Sequence, residues 1–248
     1  MVSSKPFPIE VALSDGTVLR GLEHPADGPP LVFVHDLGDD LDAWGSLAAT
    51  VNASGFRVIR LELRGHGLSD GEADPSSTFG DLTGALKEVT GAFGPVGLVA
   101  YGGVSRVAYR LGTDHGAPIH ALISPTPGAG DGDGDLGVPG DAEAVAAMRV
   151  LFTGAHDELT HGYTRDIHSG LRGQNMWIST GTVLRGPALL REHSHLIEQL
   201  VMYMRRHLTA HHLAWIAAHG SAGQDSDPDG SEQQDSDPDG SEQQDSDS

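Results

Sequence analysis

Serine, histidine and aspartate are the side chains of this sequence that could do covalent chemistry together. A serine that a histidine deprotonates, with an aspartate orienting the imidazole, attacks acyl carbonyls, and the three meet in space and not in sequence. Among the aspartates is Asp157, in Phe152-Thr153-Gly154-Ala155-His156-Asp157. Among the histidines are His193 and His195, and among the serines Ser105, in Gly103-Val104-Ser105-Arg106-Val107. Other chemistries find less to work with. Cysteine is absent, which excludes a thiolate nucleophile, a disulfide and a thiolate metal site. Among fourteen histidines, His207 and His211 stand four apart with His212 beside them, but no acid or third histidine completes a zinc helix. They read as solvated helix residues. The glycine-rich stretch 128–140 carries aspartates that would repel phosphate. Neither a metal nor a cofactor is expected.

The elements that must position these residues alternate between strand and helix. Two short strands, 8–13 and 17–22, flank Ser14-Asp15-Gly16, a hairpin with its turn glycine in place. Leu31-Val32-Phe33-Val34 is an apolar run of the kind buried on both faces of a parallel sheet. The spacing of Leu41, Trp44, Leu47 and Val51 predicts a helix over 41–54, stopped at Gly55. Further strands are predicted at 56–61, 96–101, 119–123, 149–152 and 176–179, with helices around 77–92, over 104–112 and over 192–218. On the last helix Leu196, Leu200, Met204, Leu208 and Trp215 share one face. Such alternation predicts a three-layer α/β sandwich: a mostly parallel sheet of about eight strands, helices on both faces, and any site at the carboxyl ends of the strands.

Charge narrows the partners. Residues 221–248 hold ten acids and no base, and the remainder still carries twenty-five acids against thirteen arginines and two lysines. Nucleic acid and anionic membranes both need a cationic face, so neither is expected. The tail repeats the decapeptide beginning at Asp225 from Asp235, and it has no aliphatic or aromatic residue after Ala222. It is expected to be a disordered acidic segment following a folded domain over 1–220, and a basic protein is the partner it would suit. Its Asp-x-Asp-x-Asp-Gly spacing imitates a calcium loop, but Ser236 and Ser246 stand where the bidentate glutamate belongs. No signal pattern and no apolar run of membrane length is present, so a cytoplasmic location is expected.

Over roughly residues 8–208 the chain resembles the α/β-hydrolase fold superfamily, in its esterase, lipase and serine-aminopeptidase-like branch. Val34-His35-Asp36-Leu37-Gly38 is similar to the His-Gly turn after the third strand, which implies that His35, Asp36 and Leu37, with Gly103, lie at an oxyanion-hole-like ligand crevice. Leu63-Arg64-Gly65-His66-Gly67-Leu68-Ser69-Asp70 is similar to the Arg-Gly-His-Gly-x-Ser loop after the fourth. Asp157 falls on the acid of the triad. The nucleophile elbow, G-x-S-x-G, falls on Ala100-Tyr101-Gly102-Gly103-Val104, so Gly102 stands where the serine belongs.

An elbow nucleophile sits in a strained conformation, usually with positive φ, that glycine adopts without steric cost. Ser105, three residues on, would point about 300° around a helix from Gly102 and lie roughly 4.5 Å further along it. At the position of the base, in the segment 181–190, Arg185 precedes the glycine, and an arginine cannot accept a serine proton. A second alignment takes His193 or His195 as the base. Between the strands at 119–123 and 149, where relatives insert a cap, there is room for a short helix over 142–148 and no more, so the crevice is expected to be open. Two functions follow. One is a ligand- or partner-binding pseudoenzyme taking a small acyl or apolar molecule, with Gly102 and Arg185 as degenerate positions and Asp157 retained. The other is an active ester hydrolase using Ser105, His193 or His195, and Asp157.

Overall fold

Eight strands form one sheet in the computed structural model, which describes residues 5–111, 115–127, 147–170 and 174–220. They are Phe7–Ala12 (β1), Val18–His24 (β2), Pro30–Val34 (β3), Arg57–Leu61 (β4), Gly97–Gly102 (β5), Ile119–Pro125 (β6), Met148–Gly154 (β7) and Asn175–Thr180 (β8). The order across the sheet is β1-β2-β4-β3-β5-β6-β7-β8. β1 pairs with β2 and β2 with β4 antiparallel, and every other pairing is parallel. The expected α/β sandwich of about eight strands is the fold found.

The two-residue period of the central strands sorts their side chains into two cores. Val32 and Val34 of β3, with Leu98 and Ala100 of β5, pack with Leu82 and Leu86 of Thr78–Phe93 (α2) and Val107 of Ser105–Arg110 (α3). Leu31, Phe33, Val99 and Tyr101 pack on the other side with Leu47 of Leu47–Asn52 (α1), Leu189 of Gly186–Arg191 (α5), and Leu196, Leu200 and Leu208 of Ser194–His219 (α6). A helix Glu158–Gly170 (α4) follows β7.

Two local expectations change. The helix expected over 41–54 is split into a 3-10 turn at Leu41–Trp44 and α1, because Gly45 takes a positive φ of 50° between them. Arg185 directly precedes the short helix α5, which has Pro187 in its first turn, where a missing N–H costs nothing. Helix α4 has no counterpart among the expected elements because its buried positions include Thr160 and Thr164, so no aliphatic stripe marks its period. The helix expected over 142–148 lies outside the described residues except at its end, where Met148 opens β7. The acidic tail, 221–248, also lies outside them.

The sheet buries a titratable group whose effect on stability can be measured. His120 of β6 is fully buried, opposite Arg149 of β7. Burial, and after it the Arg149 guanidinium, push the imidazole from 6.5 down to about 3. The folded chain therefore keeps His120 neutral where the unfolded chain protonates it. Above about pH 6.5 both states are neutral and stability is at its full value; as pH falls from there toward 3 only the unfolded chain takes up the proton, and stability is lost; His24 and His35, lowered chiefly by burial, act with the same sign. Replacing His120 by Gln is expected to flatten the acid limb of stability between about pH 6.5 and 4, read as the urea midpoint against pH. An unchanged slope would show that His120 titrates freely in the fold.

Candidate functional site

β5 ends in a turn built around Gly102, whose φ is +62°, and α3 begins three residues later. The space where a side chain on Gly102 would begin is filled by Asp36, which follows β3. A Cβ there would fall well inside contact distance of Asp36 Oδ2 and Cγ. Asp36 Oδ1 accepts from the backbone N–H of Leu37 at 3.0 Å and of Val104 at 3.2 Å, and the N–H of Gly103 donates to the same carboxyl. Burial pushes the Asp36 carboxyl upward, against the pull of these three donors. An internal carboxyl group thus caps the turn and takes up its N–H groups.

The surrounding loops are tied together by side chains that the turn motifs supply. His35, fully buried, donates from Nδ1 to the Asp36 carbonyl at 2.8 Å, and its Nε2 accepts from Leu63 N–H at 3.1 Å. His66 repeats the pattern, Nδ1 to the Arg64 carbonyl at 2.9 Å and Nε2 from Gly38 N–H at 3.0 Å. Both rings use both nitrogens within the protein. Arg64 pairs with Asp81 of α2 and Asp15 of the first hairpin, each at 2.7 Å. Ser69 donates to the Glu62 carbonyl and accepts from Arg20 N–H. The loop from Arg64 to Asp70 therefore works as a staple between the edge hairpin, β4 and α2.

At the end of β7, Asp157 is 4% exposed and accepts from Thr160 Oγ1 at 2.5 Å. Its other partner is Arg185, whose Nη2 forms an ion pair with Asp157 Oδ1. Among the described residues no histidine side chain hydrogen-bonds the Asp157 carboxylate. His193 stands at the N-terminus of α6, its ring 5.8 Å from that of His195, and neither lines the crevice at Gly102. Ser105, the first residue of α3, is 1% exposed, is buried in the helix layer and does not line the crevice either. The structure thus brings together Asp36, Leu37, Gly102 and Gly103 at the turn, and Asp157 with Arg185 beside it. It does not bring Ser105, His193 and His195 to Asp157.

The crevice itself has a volume of about 340 Å³ at the carboxyl ends of β5 and β6. Asp36, Asp39, Tyr101, Gly102, Ser124, Arg185, Pro187 and Arg191 are among the residues that line it. The Tyr101 hydroxyl donates to Asp39 at 2.6 Å, and burial with that hydrogen bond pushes its ionisation far up, so it stays a phenol. Ser124 is the extra residue of a bulge: Tyr101 pairs with Ile123 and Gly102 with Pro125, leaving Ser124 between. Its φ of +46° is the one positive value at a non-glycine position among the described residues. Its hydroxyl accepts from Gly186 N–H at 3.0 Å.

No protein-family profile and no curated protein sequence matches this chain. Solved structures do. An esterase of Pyrococcus furiosus superposes with a TM-score of 0.65 at 12% identity, covering 82% of this chain and 93% of the esterase. A serine hydrolase of Xanthomonas campestris, described as lacking a lid, gives 0.62 at 17% identity over 84% of this chain and 97% of that one. An esterase of Exiguobacterium antarcticum gives 0.61 at 14% identity over 79% and 98%. This chain has the α/β-hydrolase fold.

On an α/β-hydrolase scaffold the turn after β5 and the loop after β3 are the two sources of oxyanion-hole N–H groups. In this chain Gly103 stands in the turn after β5 and Leu37 in the loop after β3, and the N–H groups of both donate to Asp36. Three crevice residues, Ser124, Arg191 and Tyr101, were not singled out from the sequence. Strand order alone would point to Ser124, since sites lie at strand carboxyl ends, but its bulge depends on pairing that no local pattern reveals. Among the described residues no group of three or more His, Asp or Glu could hold a metal, and no helix is long and apolar enough to cross a membrane.

Proposed function

We propose that this α/β-hydrolase-fold protein does not perform serine hydrolysis and uses its open crevice to bind a small acyl or apolar ligand. The observation that supports this most is Asp36 on the amides around Gly102. A hydrolase needs two things at that turn, a nucleophilic oxygen and N–H groups free to stabilise an oxyanion. Here the first has no side chain to carry it, and the second are hydrogen-bonded to a carboxyl group already. Arg185 adds to this, because the acid that would orient a histidine pairs with a guanidinium that cannot take a proton.

What remains is a shaped, partly apolar concavity of a size typical of small-molecule sites. Covalent labelling tests the loss of chemistry. Incubation of the full chain with a fluorophosphonate, followed by intact-mass measurement, is expected to leave the mass unchanged. An adduct mapped to Ser105 would overturn the proposal in favour of an active hydrolase.

A further inference from the structure

We propose that the ligand of this crevice is a small carboxylic acid bound as its carboxylate, seated between the guanidinium groups of Arg185 and Arg191 and the hydroxyl of Ser124. The inference rests on the binding reading above and specifies the chemistry of what is bound. It follows from which hydrogen-bonding groups on the crevice wall are already used.

The acids are used. Asp36 accepts from the N–H groups of Leu37, Gly103 and Val104, Asp39 accepts from Tyr101, and Asp157, which does not line the crevice, is paired with Arg185 and Thr160. The donors are largely free. A guanidinium carries five N–H groups. Arg185 gives one bond to Asp157, and over half of its side-chain surface remains exposed. Arg191 gives one bond, to the Ala43 carbonyl at 2.7 Å, and has no carboxylate partner among the described residues. Ser124 accepts from Gly186 N–H, which leaves its own O–H to donate. The bulge that holds it in a left-handed conformation is the kind of local strain that persists where a side chain is aimed at a site.

A lining whose acids already have hydrogen-bond donors and whose guanidinium groups keep unused N–H groups suits an acceptor-rich anion, and the fork of an arginine matches the two oxygens of a carboxylate. Ala43, Pro187, Ala188 and the Tyr101 ring supply apolar surface for the rest of a short-chain or aryl acid. A neutral ester of the same acid would lose the charge that Arg191 complements.

Isothermal titration of the full chain with butyrate and benzoate, set against methyl butyrate, methyl benzoate and butylamine, tests this. The acids are expected to bind, more weakly as salt is added, and the esters and the amine to bind at least about tenfold less well. Arg191→Gln is expected to weaken the acids by about tenfold or more, and Ser124→Ala by a smaller factor. Because Arg191 is exposed, its loss should leave the urea midpoint unchanged; Arg191→Lys, which keeps the charge without the fork, is expected to fall between wild type and Arg191→Gln. Equal binding of ester and acid with no effect of Arg191→Gln would overturn the carboxylate assignment and leave the crevice-binding proposal standing. A preference for butylamine would overturn it too. If acids, esters and amine all fail to bind, both proposals fall.

Discussion

Gly102→Ser alone is expected to give no esterase activity and to cost the fold about 2–4 kcal/mol. Two physical terms produce the loss. The backbone at Gly102 has φ of +62°, a conformation that costs a residue with a Cβ about 1–3 kcal/mol. The new Cβ also overlaps the Asp36 carboxyl, which can move only by giving up its bonds to the backbone N–H groups of the turn. Removing the obstruction should therefore rescue part of the damage. In a double-mutant cycle with Asp36→Gly, the pair is expected to be less destabilised than the sum of the singles by about 1–3 kcal/mol. Urea unfolding of the four proteins measures this. Additive effects would mean that Asp36 does not occupy the space that a residue-102 side chain needs. Activity should stay absent even in the double variant, because Arg185 remains where a base would be required.

Arg185→Ala is the second large effect, with an expected loss of about 1–2 kcal/mol. Asp157 is almost wholly buried, and without Arg185 its charge is left with Thr160. The figure lies at the low end for a broken buried pair because the guanidinium side is more than half exposed and water can partly replace it. Adding Asp157→Asn to Arg185→Ala is expected to recover stability relative to Arg185→Ala, since the unpaired charge is then gone. If Arg185→Ala shifts the urea midpoint no more than an average surface substitution, the pair is a surface contact without structural weight. Deleting the guanidinium should also weaken any carboxylate in the crevice, which separates its two roles: one read by unfolding, the other by titration.

Much of the scaffold was legible because burial imposes period on the sequence. The runs at β3 and β5 are apolar throughout since both faces of a central strand are covered, and the Arg64–Asp70 loop is marked by residues whose side chains fix it. The hidden parts have physical causes. Helix α4 turns threonines to the core, so its amphipathic stripe is chemically faint, and Gly45 divides a stretch whose apolar spacing reads as one helix. At the site, the sequence assigns Gly102, Asp157 and Arg185 by position, each standing at or after the end of a strand. The contact between Asp36 and the turn at Gly102 could not. It joins residues 36 and 102–104 through a short side chain and backbone N–H groups, a partnership with no signature in sequence. Ser124 was hidden likewise, since its bulge is a property of how β5 and β6 pair.

Absence of hydrolysis is the central claim, and one measurement meets it most directly: initial rates with p-nitrophenyl butyrate for the full chain, its Asp157→Ala variant and buffer. Rates of the three that coincide at every substrate concentration are the expected result. Saturable turnover by the full chain that Asp157→Ala abolishes would contradict it, and would mean that a serine and a base reach Asp157 in a way the structure does not display.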